Sequence, residues 1–263
     1  MTDAILIRCD AGSIARLTLN APQNLNALSD AMLAALAAEF TALATDPSIR
    51  VVILQGAGKA FCAGHHLREM QAGRTSPDQG RAYFEGLFKR CAAVMQMIPA
   101  LPQPVIAQVH GIATAAGCQL VATCDLAIAA TDAKFGVNGV NIGLFCSTPM
   151  VALTRNVPRK AAFEMLTTGN FIDTTRAVEL GLINRHVPHD ALEAETQNLA
   201  ETLAAKLGSA VKIGKRAFYD QINLPLAEAY DHTAAVMVDN MLWRDTDEGI
   251  AAFLEKRKPD WQV

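Results

Sequence analysis

Residues 104–130 read PVIAQVHGIATAAGCQLVATCDLAIAA, and the rest of the chain is read outward from them. Val105 to Val109 is a short apolar run, the pattern of a buried strand, and His110-Gly111 breaks it. Six small side chains follow, Ala113-Thr114-Ala115-Ala116-Gly117-Cys118, and lead into a helical pattern through Leu120 and Val121. Asp125 stops that helix, and Leu126 to Ala130 reads as a second strand. The first N–H groups of a helix have no partner within it and carry partial positive charge. With only small side chains around them, a ligand can approach closely. The geometry suits an anion, or a carbonyl oxygen that becomes one during reaction. The same composition also fits a core helix packed tightly on a neighbour, and the stretch alone leaves both readings open.

Upstream, Ala4 to Cys9 and Ser13 to Asn20 read as strands of a hairpin around Asp10-Ala11-Gly12. Ser29 caps a helix whose buried side is Met32, Leu36, Phe40 and Leu43. Arg50 to Gln55 is a strand ended by Gly56-Ala57-Gly58, and the GAGKA that follows it lacks the hydroxyl of a phosphate-binding loop. Phe61-Cys62-Ala63-Gly64-His65 is a second turn of small residues into a helical piece. Ser76-Pro77-Asp78-Gln79 reads as a capping box for a helix burying Tyr83, Leu87, Cys91, Val94 and Ile98, ended by Pro99. Downstream, Phe135 to Ile142 is strand or loop. Thr148-Pro149, Pro158 and Asp173 start helices, with Gly169 and Gly181 closing the last two. Leu182 to Val187 is strand-like, and from His189 to Lys258 the pattern is helical with breaks near Gly208, Pro225 and Arg244. This switch divides the chain into 1–197 and 198–263.

The chain has 263 residues, 51% of them hydrophobic, enough for one large domain or a domain with an appendage. A net charge of −3 gives no reason to expect nucleic acid or a membrane surface as partner. Gln108, His110, Gln119 and Asp125 argue against a spanning helix in the only tempting stretch. The six cysteines show no CxxC spacing and read as reduced thiols, and no clustered His, Cys and carboxylate spacing calls for a metal. The opening MTDAILIRCD has neither signal-peptide nor transit-peptide character. A cytoplasmic location is the expectation.

The two small-residue turns stand with Asn20-Ala21-Pro22, Asn26-Ala27-Leu28, Gly169-Asn170-Phe171-Ile172, Ala177 to Gly181 and Phe253 to Arg257. In this order they resemble the crotonase, or enoyl-CoA hydratase/isomerase, superfamily over essentially the whole chain. The runs from Thr114 to Leu120 and from Gly143 to Pro149, with Met237 to Asn240, look like its mitochondrial domain-containing protein 3 group. The resemblance implies an α/β fold: a crotonase-like spiral of ββα units with a C-terminal helical oligomerisation region that builds trimers, often paired as hexamers. It implies an acyl-CoA thioester as ligand, with coenzyme A part of the substrate and no separate cofactor. Carried over by position, the N–H groups of His65 and Ala116 flank the thioester oxygen and stabilise an enolate. CoA contacts fall on Gln23, Asn24, Leu25, Ala27 and Ala63, with Arg68 near the phosphates. Phe253 and Lys256 match residues that reach in from a neighbouring subunit. Lys256 also reads as a solvated lysine of the basic run Lys256-Arg257-Lys258.

The chain departs from the hydratases at the two glutamates that activate a water. Their positions are Gln119 and Gly139. A glutamine holds water but takes no proton, and glycine has no side chain. Weak hydration follows, and glutamates restored at both positions are expected to raise it if the Gly139 backbone allows. His65, His66, Asn138 and Asn141 remain as polar groups near the turns, and Cys118 and Cys146 as nucleophiles only with a depressed pKa. Other reactions, such as thioester hydrolysis or decarboxylation, and a non-catalytic acyl-CoA binder or scaffold stay open.

Overall fold

The computed structural model describes residues 4–261, which form two compact units dividing after Leu203. In the first unit, β1 (Leu6–Ala11) and β2 (Ile14–Leu19) make the antiparallel hairpin. β3 (Val51–Gly56), β4 (Val105–Val109), β6 (Leu126–Ala130) and β8 (Arg185–Val187) then add in parallel, giving the order β1-β2-β3-β4-β6-β8. β4 is buried throughout and β3 from Val51 to Leu54, as a parallel sheet covered on both faces demands. On one face a polar ladder crosses three strands. The Arg16 guanidinium donates to Gln55 and Gln108 of the next strands and to Gln197 on α8 (Leu192–Ala204).

A second, smaller layer holds β5 (Ile112–Thr114) paired in parallel with β7 (Lys134–Gly136). Single bridges extend it, Cys62 to Ala113, Leu28 to His65 and Phe135 to Ile172. Each turn of the chain therefore lays one long strand in the large sheet and a short segment in the small layer, then a helix. α1 (Asp30–Ala44) follows the first such turn, α2 (Leu67–Gly73) and α3 (Arg81–Ala100) the second, and α4 (Ala116–Thr123) the third. This is the expected spiral of ββα units. β5 is a refinement of the reading: between Gly111 and the small-residue run the chain pairs for three residues before turning into α4.

Ser29 caps α1 by accepting from the Met32 N–H, and Met32, Leu36, Phe40 and Leu43 are buried as expected. α5 (Pro149–Asn156) starts at its proline, but Thr148 makes no side-chain cap. α6 (Arg159–Thr168) ends on left-handed Gly169, and Asp173 caps α7 (Thr174–Glu179). The reading of Ser76 to Gln79 as a capping box needs correction. Those residues form a separate turn, and α3 starts four residues later behind Gly80, whose φ is 83°. The Asp78 carboxylate, not the Ser76 hydroxyl, accepts from the Gly80 and Ala82 N–H groups. Pro99 lies inside the last turn of α3 rather than after it.

The second unit contains α9 (Gly208–Gln221), α10 (Leu226–Met241) and α11 (Arg244–Leu254). Its helices leave large apolar side chains exposed, among them Leu226, Tyr230, Met237, Leu242, Phe253 and Leu254. Arg257 folds back on Glu248, and that pairing with the Asp260 N–H holds the Glu248 carboxyl down at about 2. Among the described residues no helix is long and apolar enough to cross a membrane, and no group of three His, Cys, Asp or Glu could hold a metal ion.

Candidate functional site

The site grows from the loop between β3 and α2. Its backbone groups are consumed one after another. The Phe61 N–H donates to the His110 carbonyl, Cys62 to Ile112, and Ala63 to Leu25, while the Cys62 and Gly64 carbonyls accept from Thr114 and Leu28. The Gly64 N–H is turned to the Cys62 sulfur, and the N–H that follows, that of His65, has no acceptor in the chain among the described residues. On the facing turn Ala115 donates to the Gly136 carbonyl, and the N–H of Ala116, first residue of α4, is likewise without an acceptor. Ala115 adopts φ 50° and ψ −119°, a conformation disfavoured for any residue with a Cβ. That backbone reversal is what turns the chain from β5 into α4.

Two glycines let these turns touch. A Cβ on Gly64 would lie 3.1 Å from the Ala116 nitrogen and 3.0 Å from the Thr114 oxygen, and Gly64 itself has φ +86°. A Cβ on Gly117 would lie 2.1 Å from the Cys62 carbonyl oxygen. The first turn of α4 is thus seated directly on the backbone of the other turn. Close approach at both positions requires glycine.

Asn26 holds the third side of the site. It is fully buried; its Oδ1 accepts from the Ala21 N–H, and its Nδ2 donates to the carbonyls of Ala57 and Ala60. Asn26 stands in the run Asn26-Ala27-Leu28, whose residue types alone do not announce this task. The signal was an asparagine in a loop needing left-handed backbone, which Leu25 and Asn26 adopt at φ 53° each. Asn26→Ala leaves three backbone groups unpaired, two of them buried, and is expected to cost roughly 3 kcal/mol in urea unfolding. A loss below about 1 kcal/mol would mean the three loops hold one another without it.

The remaining candidates separate into groups the fold brings together and groups it spends elsewhere. Gln23 and Asn24 are exposed in a 3-10 turn (Pro22–Asn24), Ala27 is buried, and the bond from Ala63 to Leu25 binds this segment to the first turn. Arg68 is exposed on α2 with no ion-pair partner among the described residues. Gln119 is 5% exposed, and its Oε1 is buried with no hydrogen-bond partner. His66 caps α2, its Nδ1 accepting from the Glu69 N–H. Asn138 accepts from the Thr114 hydroxyl, and Asn141 is exposed and turned to the Gly169 carbonyl. Phe253 and Lys256 are exposed residues of the second unit.

Gly139 is buried, and a Cβ there would stand 2.3 Å from the Leu144 carbonyl oxygen and 2.9 Å from the Cys146 sulfur. Its φ is not left-handed, so space and not backbone conformation restricts the position. The cysteines offer no nucleophile. Burial pushes the Cys118 thiol up to about 12 and raises that of Cys146. The His65 imidazole, half-buried and edge-on to Phe88 at 5.6 Å, is displaced below its ordinary pKa by burial, with the Leu28 backbone and Asp30 opposing. Neither of its ring nitrogens makes a well-formed hydrogen bond, the Leu28 backbone lying near without completing one.

The ββα spiral has counterparts among known proteins. Residues 10–263 match the family model described as enoyl-CoA hydratase/isomerase, and the chain belongs to that family. Its relatives include the mitochondrial enoyl-CoA hydratase domain-containing protein 3 of Homo sapiens, 45% identical over 248 residues, 94% of this chain and 80% of that protein. The Xenopus laevis counterpart is 45% identical over 248 residues, covering 94% and 83% of the two. Among solved structures, an enoyl-CoA hydratase of Mycobacterium smegmatis matches with a TM-score of 0.94 at 53% identity, covering 98% of this chain and 99% of that one. Human enoyl Coenzyme A hydratase domain-containing protein 3 matches with 0.93 at 43%, covering 98% and 100%. The resemblance to the superfamily and to this group is borne out. The expected cytoplasmic location is not: the names of the human and frog relatives place those proteins in mitochondria, and the expectation is withdrawn.

Proposed function

We propose that the chain binds acyl-CoA thioesters, with the thioester oxygen between the N–H groups of His65 and Ala116. The observation that carries this reading is the pair of uncommitted backbone donors on two turns in direct contact. Fixed donors of this kind stabilise the negative charge of an enolate as it forms, and a donor opening α4 adds the helix dipole. Gln23, Asn24, Leu25, Ala27 and Ala63 flank the pantetheine path, Arg68 meets a phosphate, and coenzyme A arrives as part of the substrate. Gln119, with its free Oε1, positions a polar atom or a water beside the acyl group.

Hydration is weak on this reading. Losing one acid–base group costs roughly 10²–10⁴-fold in rate, and two are absent here. Crotonyl-CoA is expected to bind in calorimetry while its hydration, followed by loss of the enoyl absorbance, runs several orders of magnitude below that of a glutamate-bearing family member measured alongside. A rate equal to that member's would overturn this part of the reading. Absence of binding would overturn all of it. The second reading, a binder or scaffold without chemistry, is favoured by the closed space at Gly139; binding without turnover of any thioester tested, hydrolysis and decarboxylation included, selects it. Activity and binding are expected to survive EDTA.

The exposed apolar side chains of the second unit support self-association as trimers or pairs of trimers, with Phe253 and Lys256 serving a neighbour's ligand. Sedimentation at micromolar concentration is expected to give a multiple of three chains. A monomer would remove both the assembly and the role of Lys256.

A further inference from the structure

We propose that the His65 imidazole is the catalytic base of this site, taking the α-proton of a bound acyl-CoA. The proposal rests on the ligand class given above and goes beyond it by naming the group that moves the proton. The two turns carry four side chains able to exchange one: Cys62, His65, His66 and Cys118. The thiols of Cys62 and Cys118 are pushed up to about 12 by burial and stay protonated. His66 is committed to the α2 N–H of Glu69. His65 remains. Both its nitrogens are hidden from solvent, and neither makes a well-formed hydrogen bond to a protein group, the Leu28 backbone interacting with the ring only weakly. A buried imidazole left so is destabilising unless a ligand supplies the partner.

The surroundings keep that imidazole neutral, so that its lone pair is free to accept a proton. Phe88 of α3 presents its ring to it, and Phe84 stacks on Phe88. The charged groups nearby are engaged with one another. Asp30 at the start of α1 pairs with Arg90 of α3, and Glu69 of α2 accepts from the Asp30 N–H. The ring belongs to the same residue as the first thioester donor, so binding the carbonyl brings the adjacent carbon to this turn. In the step proposed, the α C–H bond breaks and its proton goes to the free lone pair of the ring. The electron pair forms the C=C of the enolate, and the carbonyl π pair moves onto the oxygen held by the two N–H groups. The imidazolium then returns a proton to carbon. No oxidant, metal or second acid enters the balance.

Two readouts test this. Acetoacetyl-CoA, whose α-proton is acidic, is added to the full-length protein and the enolate absorption band is followed. Butyryl-CoA is incubated with the protein in deuterium oxide, and deuterium at the α-carbon is measured by NMR. The wild type is expected to give the band, the uptake, or both. His65→Gln, which keeps the backbone N–H, is expected to lower both signals at least 100-fold while its affinity for the thioester changes less than tenfold. His65→Asn serves should the glutamine variant fail to fold. A wild type that binds but gives neither signal, or a folded variant equal to wild type in both, overturns the role of His65 and leaves the ligand class standing. Failure of the wild type to bind removes both.

Discussion

Gln119→Glu combined with Gly139→Glu is expected to give an unstable protein rather than a hydratase. The site has no room for the second change: the new Cβ alone would meet the Leu144 carbonyl at 2.3 Å, and backbone cannot swing aside as a side-chain tip does. Overpacking of this kind costs about 3 kcal/mol or more, and the added carboxylate would be buried without a partner. The turn would also lose its seat, because Gly139 accepts from the Leu144 N–H and donates to the Cys146 sulfur. The expectation drawn from sequence, that restored glutamates raise hydration, therefore fails on space. Gln119→Glu alone is expected to fold and to raise crotonyl-CoA hydration less than tenfold, since the two acids act on one water and their effects do not add. A double variant as stable as wild type in urea, hydrating a hundredfold faster, would show that the loop from Leu144 to Cys146 gives way.

Gly117→Ala is expected to weaken acyl-CoA binding at least a hundredfold. Its methyl would occupy a point 2.1 Å from the Cys62 oxygen and 2.7 Å from the Cys62 carbon, so the two turns must part. Donor pairs tolerate about 0.5 Å of displacement before their geometry is lost, and each hydrogen bond left unmade on a desolvated thioester oxygen costs roughly 1–3 kcal/mol, so that losing both amounts to about a hundredfold or more in affinity. Calorimetry with crotonyl-CoA measures the loss, and circular dichroism confirms that the helices persist. Gly214→Ala is the matching control, because a Cβ there meets nothing within 4 Å. In the interior of α9 that change is expected to add about 0.5–1 kcal/mol of stability. Wild-type affinity in Gly117→Ala would mean that the contact between the turns does not set the donors.

Periodicity and end signals carried most of the fold. Ser29 and Asp173 cap helices, and Gly169 takes the left-handed turn after α6, because each acts on backbone within four residues of itself. The small layer was not legible. β5 and β7 are three residues each and its other members are single bridges, too short for any alternation to show. Ser76 misled because Asp78, two residues on, competes for the same task and Gly80 supplies the reversal before the helix. At the site, the two donors came from the order of small residues and the resemblance it carries. What closes the Gly139 position, and what occupies Asn138 and Asn141, depends on partners between 5 and 28 residues away in the chain.

The polar ladder of Arg16 sets a long guanidinium among neutral amide oxygens, with Gln55 shared between two of its members. Its positive charge is met by dipoles and not by a carboxylate. The centre of the network has no carboxyl to take a proton, whereas an Arg–Glu pair in its place would weaken as its carboxyl did, and a carboxylate, Glu201, enters only at the outer end, where it accepts from Gln197. The seam where β2, β3 and β4 meet α8 is in that sense held by amide groups that keep their hydrogen bonds as acid rises.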